Sequence, residues 1–444
     1  MAQLVRTLGL RDLTLLAVGA VIGSGIFLVP GGILKQVENS VALAGLVWLA
    51  GGLLSLLGAL TYGELAAMKP EAGGLYVYVR DGFGSLPAFL YGWSLFIAVA
   101  SGTIAGLAAA FSTYLSAVIP LSPLQAKLAA IAMIAAIAVV NVRGARGSSD
   151  MQNWTTLAKV LLVVGISVVL LALGRGYSEM RASLWATGDT LSLASKFGLA
   201  MFAALWPYEG WQFITYSAGE AADPKRTFPR ALVGSVAFMI AVYLLANFAY
   251  GAALGPARFS QSDTIAADSI SAVLGPGAAR LVSITILVSV FSATNSVLLT
   301  APRVFYAMAE DKLFFSKLAE VHPRFHTPAV AIIALAAWSA VLTWLGKFQE
   351  LVNYAMFVAW IFYGLGAASV FVYRRRHPEM ERPFRVPGYP VTPLIFVGAA
   401  AVLVLNVVIS TPRNAAIGLG MVLLGLPAYL AWRPRNSAVS SHRN

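Results

Sequence analysis

The sequence contains no cysteine among its 444 residues. Intramolecular disulfides, thiolate metal sites, cysteine nucleophiles and a disulfide-linked partner subunit are therefore excluded. Charged residues are also scarce, at 11% of the chain, whereas a soluble domain carries about 25%. A phosphate-binding loop of the GxxxxGK type is missing, so coupling to ATP hydrolysis by this chain has no support.

Long apolar runs take the place of these features, and hydrophobic residues make up 59% of the chain. Stretches of about 20 apolar residues, each long enough to cross a bilayer, recur over the whole length. They predict an all-α membrane protein with twelve transmembrane helices in a single domain, 1–432, and a polar cytoplasmic tail, 433–444. The predicted spans are 11–36, 41–66, 86–116, 124–142, 154–174, 195–217, 230–254, 277–309, 328–346, 350–374, 393–411 and 414–432.

The formal net charge of +12 follows the predicted topology and does not indicate a nucleic-acid partner. If the N-terminus is cytoplasmic and the spans alternate, 22 of the 31 lysines and arginines lie on the cytoplasmic side and nine lie outside. This is the positive-inside bias, and it predicts that both termini are cytoplasmic. The basic loops after the sixth and eighth spans are interpreted as topology signals that contact anionic lipid.

Two of the predicted spans contain strong helix breakers. The stretch "GAVIGSGIFLVP", which begins at Gly19, places two glycines and a serine at mid-span, and "WPYEGW", which begins at Trp206, places Pro207 beside Glu209. In a helix interior proline costs about 3 kcal/mol and glycine about 1 kcal/mol. The alternative is that the glycines only allow close helix packing, but this does not account for Pro207 beside Glu209.

Breaks at corresponding places predict two halves, 8–174 and 195–374, with two further helices in 393–432. Paired interrupted spans indicate a transporter binding site at the membrane midplane. Unwound backbone is tolerable there because an occupant takes the hydrogen bonds that lipid cannot make. The half-helix that begins near Ile26 offers free amides and a positive dipole end, which suit a carboxylate. The half-helix that ends near Ile22 offers carbonyls, which suit an ammonium, so the breaks predict an α-amino acid as the ligand.

Five stretches, in order and at family spacing, resemble the amino acid–polyamine–organocation superfamily, and within it the L-type amino acid transporter family and its bacterial serine/threonine-exchanger relatives. The resemblance covers about residues 8 to 430. It implies a five-plus-five inverted-repeat fold with discontinuous helices 1 and 6, sodium-independent exchange of amino acids, and no enzyme activity, cofactor or metal. The stretches are "GAVIGSGIFLVPGGIL", "WPYEGWQFITYSAGEAADPKRTFPRAL", "VYLLANFAY", "SATNSVLLTAPRVFYAMAEDKLFFSKLAEVHPRFHTP" and "YRRRHPEMERPFRVPGYPVTP".

The resemblance also implies a set of substrate-binding residues at the two breaks. Backbone amides around Ser24 and Gly25 would hold the substrate carboxylate, and carbonyls of Val21, Trp206 and Glu209 would hold the α-ammonium. The Trp206 side chain would cover the substrate on the extracellular side. The full predicted set is Val21, Gly23, Ser24, Gly25, Ile26, Trp206, Glu209 and Gln212.

Two further residues, Lys159 and Tyr243 from spans 5 and 7, would tie the unwound part of span 1 to its neighbours. In sodium-coupled relatives a cation bridges the broken helix 1 and helix 8, and the Lys159 ammonium would replace that ion. Alternatively, Lys159 extends to the cytoplasmic surface, or titrates and couples protons. Without the resemblance, Tyr243 would be read as a core residue.

Other polar residues in the spans have competing interpretations. Glu209 is a counter-charge for a cationic substrate side chain, a proton carrier or a partner of an internal base, or else it caps a half-helix for about 0.5–2 kcal/mol. Gln212 contacts the substrate or makes ordinary interhelical hydrogen bonds, and the alternative for Trp206 is packing or interfacial anchoring. Serine and threonine can bond their own helix backbone, so the polar residues of span 8 stay outside the predicted site: Ser289, Ser292, Thr294, Asn295 and Ser296.

Two rival functions receive less support. A serine hydrolase needs a base next to its nucleophile, but the four histidines lie in predicted loops or the tail, and a Ser24–Lys159 pair has no other support. A channel favours symmetric oligomeric pores, whereas a single chain with two non-identical breaks fits alternating access better. With the resemblance, the sequence predicts an exchanger of small neutral L-amino acids such as alanine, serine or threonine, in the lipid bilayer of a bacterial cytoplasmic membrane. The alternatives are proton-coupled symport and exchange of cationic amino acids through Glu209.

Overall fold

The computed structural model of the chain describes residues 4–185, 190–345 and 348–432. The predicted tail, 433–444, lies outside the described residues, as does Lys347, one of the nine cations assigned to the outer side. Apart from an isolated β-bridge between Leu8 and Ala221, all regular structure in the described ranges is helical. The prediction of an all-α protein is confirmed.

Helical segments of other types lie between some of the α-helices. Segments of 3-10 helix cover Trp211–Glu220, Pro276–Ala278 and Ser316–Ala319, and a π-helix covers Leu95–Val99. The α-helices of the described ranges are α1 (Leu10–Val21), α2 (Gly25–Leu28), α3 (Pro30–Gln36), α4 (Val41–Met68), α5 (Leu75–Phe83), α6 (Ser85–Ser94), α7 (Ala100–Val118), α8 (Pro123–Val142), α9 (Ala145–Leu173), α10 (Tyr177–Ala182), α11 (Thr190–Leu205), α12 (Pro224–Phe259), α13 (Ile265–Leu274), α14 (Ala279–Thr300), α15 (Pro302–Glu310), α16 (Ala329–Leu345), α17 (Phe348–Arg376), α18 (Val391–Ser410), α19 (Pro412–Leu423) and α20 (Gly425–Trp432).

Ten helical segments of the described chain are long and apolar enough to cross a membrane. Two of the twelve predicted spans, 195–217 and 328–346, correspond to the shorter apolar helices Ser192–Leu205 and Ala329–Leu345. The first of these is short because the chain leaves the helix at Trp206, inside the predicted span. The count of twelve therefore stays a prediction.

Local sequence signals explain where several helices begin. At the start of α8, Gln125 N donates to Ser122 Oγ (3.3 Å) and Ser122 N donates to Gln125 Oε1 (2.8 Å). This reciprocal pair satisfies two amides that lack intrahelical partners. At the start of α4, Leu43 N donates to Ser40 Oγ over 3.3 Å, which has the same effect on one amide.

The broken first helix lies at the centre of the bundle. Helix α1 packs against α9, α12 and α14, while α12 also lies along α4 and α14 along α7. Leu13, Leu16 and Ala17 of α1 are buried. By contrast, Trp154 and Leu161 of α9 are exposed on the outside of the bundle, as expected for a surface that faces lipid.

The bundle is closed at the end where the chain begins. The amides of Thr7 and Leu8 both donate to the Glu220 carbonyl over 2.9 Å, and Ala222 N donates to the Leu8 carbonyl over 3.0 Å. The Arg303 guanidinium donates to both carboxylate oxygens of Glu220, at 2.7 and 2.9 Å. Arg303 and Glu220 are 0% and 1% exposed, so this ion pair is sealed inside the closed end.

A second group of charges extends this closed end. Arg80 donates to Asp81 and to Asp311 over 2.8 Å each, and the Tyr76 hydroxyl donates to Asp311 over 2.7 Å. Burial alone would raise the pKa of the Asp81 carboxyl, but hydrogen bonds and positive charge from Arg80 and Lys69 outweigh it and lower that pKa. Helix α5 is thereby fixed to the end of α15.

Candidate functional site

The first helix is broken over residues 22–24, which we call the first break. Helix α1 ends at Val21, Ile22 has a non-helical ψ of 80°, and α2 begins at Gly25. The start of a helix leaves amides without intrahelical partners. Within the described chain, the amides of Ser24 and Gly25 donate to no backbone carbonyl, so both are available to a ligand.

Buried side chains from α9 and α14 occupy carbonyls at the first break and in the last turn of α1. Lys159 Nζ donates to the Gly19 and Ile22 carbonyls over 2.6 Å each. The Ser289 hydroxyl lies 2.9 Å from the Ile22 carbonyl oxygen and 3.0 Å from that of Gly23, and these two carbonyls share its one proton. Lys159 is fully buried, so its ammonium lies inside the bundle and does not extend to the surface.

The Tyr243 hydroxyl connects the first break to the second. It lies 3.1 Å from the carbonyl oxygen of Val21 and 2.8 Å from that of Pro207. A hydroxyl has one proton to donate, so the two carbonyls share it. The ring is fully buried and packs against Trp48 and Tyr208. Tyr243 is therefore placed to keep the two breaks at a fixed separation.

The second break covers residues 206–210, between the end of α11 and the 3-10 helix at Trp211–Glu220. Gly210 has a φ of +116°, and a Cβ there would lie 3.1 Å from the carbonyl carbon of Ala20. A Cβ on Gly25 would lie 2.9 Å from Pro207 Cα. Glycine at these two positions thus lets the backbones of the two breaks touch.

Glu209 of the second break belongs to a polar cluster with Gln212 and Tyr363. Its Oε1 accepts a hydrogen bond from Gln212 Nε2 over 2.6 Å and another from the Tyr363 hydroxyl. The 3-10 helix has Gly210 as its N-cap and no side-chain cap bond, so this geometry does not show Glu209 capping that helix. Within the described chain Glu209 has no cationic partner, and the buried Gln212 Oε1 has no hydrogen-bond partner.

A cavity lies where the two breaks meet, with about 660 Å³ of space including the part open to solvent. Six of the predicted site residues line it, whereas Ile26 and Gln212 do not. The lining residues are Ala20, Val21, Gly23, Ser24, Gly25, Val99, Thr103, Leu107, Trp206, Pro207, Glu209, Phe213, Val297, Ala355 and Met356. The walls beyond the breaks are mainly apolar, which suits a small ligand with an uncharged side chain.

Sequence reasoning missed several residues of this site. Val99, Thr103 and Leu107 come from the π-helix and α7, and Met356 comes from α17. They have no distinguishing pattern, because apolar residues fill every span. Tyr363 is one of 16 tyrosines, and only the fold places it on a carboxylate 154 residues earlier in the chain.

Ser289 belongs to the polar residues of span 8, which lie outside the predicted site. The sequence marks span 8 as polar along part of its length, but local hydrogen bonding to the same helix was an equally good explanation. The structure sends the Ser289 hydroxyl to the first break instead. Lys159 donates to carbonyl oxygens and makes no hydrogen bond to Ser24, so a serine–lysine catalytic pair receives no support from the geometry.

Comparisons with known proteins agree with this architecture. The sequence profile of the amino acid permease family matches residues 8–426. The serine/threonine exchanger SteT of Bacillus subtilis (strain 168) is 28% identical over 438 residues, which cover 98% of each chain. The human b(0,+)-type amino acid transporter 1 is 33% identical over 92% of this chain and 84% of its own. The human cystine/glutamate transporter is 29% identical over 96% of this chain and 85% of its own.

The relatives are amino acid transporters and exchangers, and this chain shares with them nearly its full length. A match over residues 8–426 includes both breaks and every helix that contacts them. The chain is therefore an integral membrane protein of the amino acid permease family, in the amino acid–polyamine–organocation superfamily, and is related to the L-type amino acid transporters and the bacterial serine/threonine exchanger.

Proposed function

We propose that this protein is a sodium-independent exchanger of small neutral L-amino acids that works by alternating access. The observation that carries the proposal is the position of the Lys159 ammonium. It donates to the carbonyls of Gly19 and Ile22 and lies 3.5 Å from the Ser289 carbonyl. An ammonium held between the broken helix 1 and α14 would take the place of a sodium ion at this position.

The substrate would lie across the two breaks. Its carboxylate would accept from the free amides of Ser24 and Gly25, at the positive end of the helix that continues into α3. Its ammonium would donate to carbonyls of Val21, Trp206 and Glu209. The Val21 and Trp206 carbonyls each accept one bond already, from Tyr243 and from Glu209 N, and a carbonyl oxygen accepts two.

Small side chains fit the remaining space best. Leu107 Cδ2 would lie 3.4 Å from a Cβ on Gly23, so the wall is close to the first break. One relative, SteT of Bacillus subtilis, is a serine/threonine exchanger, which agrees with substrates of this size. Trp206 lines the same cavity and would cover the substrate from the extracellular side.

The membrane arrangement is also part of the proposal. Twelve spans, built as two inverted halves of five plus two further helices, agree with one break near the start of each half. Both termini would then be cytoplasmic, in a bacterial cytoplasmic membrane, and the closed end at Leu8 and Glu220 would face the cytoplasm. Exposure of the site would alternate without covalent chemistry.

A second candidate function rests on Glu209. Its carboxyl lines the cavity without a cationic partner among the described residues, so the ammonium or guanidinium of a cationic substrate would have a counter-charge there. Competition by L-lysine and L-arginine against labelled L-serine separates this candidate from the neutral exchanger. Proton-coupled symport through the same site is a third candidate function.

Transport by the purified protein in liposomes tests the proposal. With labelled L-serine outside, uptake should require an unlabelled neutral amino acid inside and should be unchanged when sodium is replaced by choline. Uptake into empty vesicles that follows an inward proton gradient would overturn exchange in favour of symport. Dependence on sodium would contradict the role assigned to Lys159.

A further inference from the structure

A group of six buried polar side chains lies next to the first break without touching the cavity. Helix α8 contributes Asn141, and the other five come from α9 and α14. We call this group the carboxamide network because two asparagines and one glutamine hold it together. All six residues are fully buried: Asn141, Ser148, Gln152, Thr156, Ser292 and Asn295.

Asn295 is the centre of the network. Its Nδ2 donates to Gln152 Oε1 over 2.9 Å and to the Ser148 carbonyl over 3.3 Å. Its Oδ1 accepts from Asn141 Nδ2 over 2.8 Å and, over 3.1 Å, from the Ser148 hydroxyl, whose one proton is shared with Asn141 Oδ1. Both donors and both acceptor positions of this carboxamide are used, so Asn295 links α14 to α8 and α9 at once.

Gln152 carries the network toward the first break. Its Nε2 donates to Thr156 Oγ1 and to Ser292 Oγ over 3.0 Å each. A Cβ on Gly19 would lie only 1.9 Å from Gln152 Nε2 and 2.4 Å from Thr156 Oγ1. The network is therefore packed against the residue whose carbonyl accepts from Lys159.

Lys159 and Ser289 extend the two helices that the network joins. Lys159 lies on α9 within one turn of Thr156, and Ser289 lies on α14 within one turn of Ser292. Both side chains converge on the Ile22 carbonyl, at 2.6 and 2.9 Å. The two side chains can both reach the Ile22 carbonyl only if the distance between α9 and α14 is kept.

We propose that Asn295 is a positioning residue for the substrate site. Through the carboxamide network it fixes α9 against α14, and so holds the Lys159 ammonium and the Ser289 hydroxyl on the first break. The inference rests on the proposed function for its transport measurements. A satisfied buried network is rigid, but removal of one member leaves its partners unpaired in a medium that offers no replacement.

Transport kinetics of Asn295→Leu give the first test. We expect the KM for L-serine to rise about five- to tenfold, because residues in one hydrogen-bond network are energetically coupled. Thr294→Val is the matched control, because Thr294 is buried on the same helix but donates to its own helix at Val290 over 2.9 Å. Its KM should stay within about twofold of wild type.

The coupling to the first break is tested in a Ser289→Ala background. If Asn295 acts through Ser289 and Lys159, the effects of Asn295→Leu and Ser289→Ala on KM should combine to less than their product. Independent effects that multiply in full would overturn the proposed route. A fall in thermal stability with unchanged KM would show a purely structural role and would also overturn it.

A thiol probe gives a readout that needs no transport. Because the chain has no cysteine, Ala20→Cys places a single thiol at the cavity next to the first break. Asn295→Leu should change the maleimide labelling rate of this thiol by about threefold or more, whereas Thr294→Val should not. Unchanged labelling in folded protein would overturn the proposal.

The outcomes keep the two proposals apart. If vesicles with wild-type protein exchange no amino acid but the labelling rate still shifts in Asn295→Leu, the proposed function fails and the positioning role stands. If Asn295→Leu does not fold, Ser148→Ala serves in its place, since it removes bonds of 2.9 and 3.1 Å to Asn141 and Asn295. The same shift in labelling is expected, and its absence would overturn the inference.

Discussion

The two breaks are built alike in backbone but differ in what surrounds them. At the first break and the end of α1 before it, side chains from α9, α12 and α14 donate to the carbonyls of Gly19, Val21, Ile22 and Gly23. At the second, Glu209 is bonded by its near neighbour Gln212 and by Tyr363, and Gln212 Oε1 remains unpaired among the described residues. The first break is anchored by the bundle, while the second retains a polar atom, Gln212 Oε1, that can accept a hydrogen bond from another partner.

This difference predicts that loss of the Lys159 amine or of the Tyr243 hydroxyl costs more than a change of charge at the second break. Lys159→Met should have the largest effect, a loss of exchange of at least about 100-fold, because each hydrogen bond to a charged group contributes about 1.5–3 kcal/mol. Counterflow of L-serine in liposomes measures it. Lys127→Met is the control, since Lys127 donates to the Trp344 carbonyl at the exposed surface. Near-normal exchange by Lys159→Met would remove the distinction between the breaks.

Tyr243→Phe should come next, with a rise in KM of about five- to tenfold. It removes the hydroxyl shared by the Val21 and Pro207 carbonyls, and a neutral hydrogen bond contributes about 0.5–1.5 kcal/mol. Tyr208→Phe is the matched control, because Tyr208 does not line the cavity and its hydroxyl donates to the Trp48 carbonyl. An equal KM for the two variants would mean that the link between the breaks has no part in binding.

Glu209→Gln should change the KM for L-serine by only about threefold. The amide oxygen still accepts from Tyr363 and Gln212, and a neutral substrate has no side-chain charge to lose. Any competition by L-lysine in the wild type should disappear in this variant. A loss above about tenfold for L-serine would show that the charge itself serves neutral transport, and the contrast between the breaks would have to be reversed.

Ser289→Ala should have the smallest effect, about twofold in KM. Of the two carbonyls that share its proton, that of Ile22 still accepts from Lys159 over 2.6 Å. The variant should therefore cost less than the about 1 kcal/mol of a buried hydrogen bond that is lost entirely. Initial-rate uptake at several substrate concentrations gives the value. An effect as large as that of Lys159→Met would make the hydroxyl, and not the ammonium, the main anchor.

Much of this arrangement could be predicted from the sequence, because its causes are local. Apolar runs of membrane length predict the helices, and Gly23, Gly25 and Pro207 predict the positions at which two of them open. Lys159 stood out because a lysine in an apolar run needs a partner. The structure gives that partner as the first break.

The rest depended on contacts between distant parts of the chain. Nothing in the sequence distinguishes Tyr363 and Asn295 from the other polar residues of the spans. Their roles follow from hydrogen-bond partners more than 140 residues away in the chain. Ile26 was placed in the site by its position in sequence, but it is buried and does not line the cavity. The 3-10 geometry of Trp211–Glu220 after the second break was not predicted, since its residues show no special period.

The seam that joins Leu8 to Ala221 has a practical consequence. It ties the first residues of the chain to the segment that leaves the second break, and a sealed arginine–glutamate contact lies against it. If the backbone segments at Leu8 and Ala221 separate, the first residues of the chain must move relative to the segment that follows the second break. A fluorophore placed just before Leu8 would therefore register, from outside the bundle, when the interior opens.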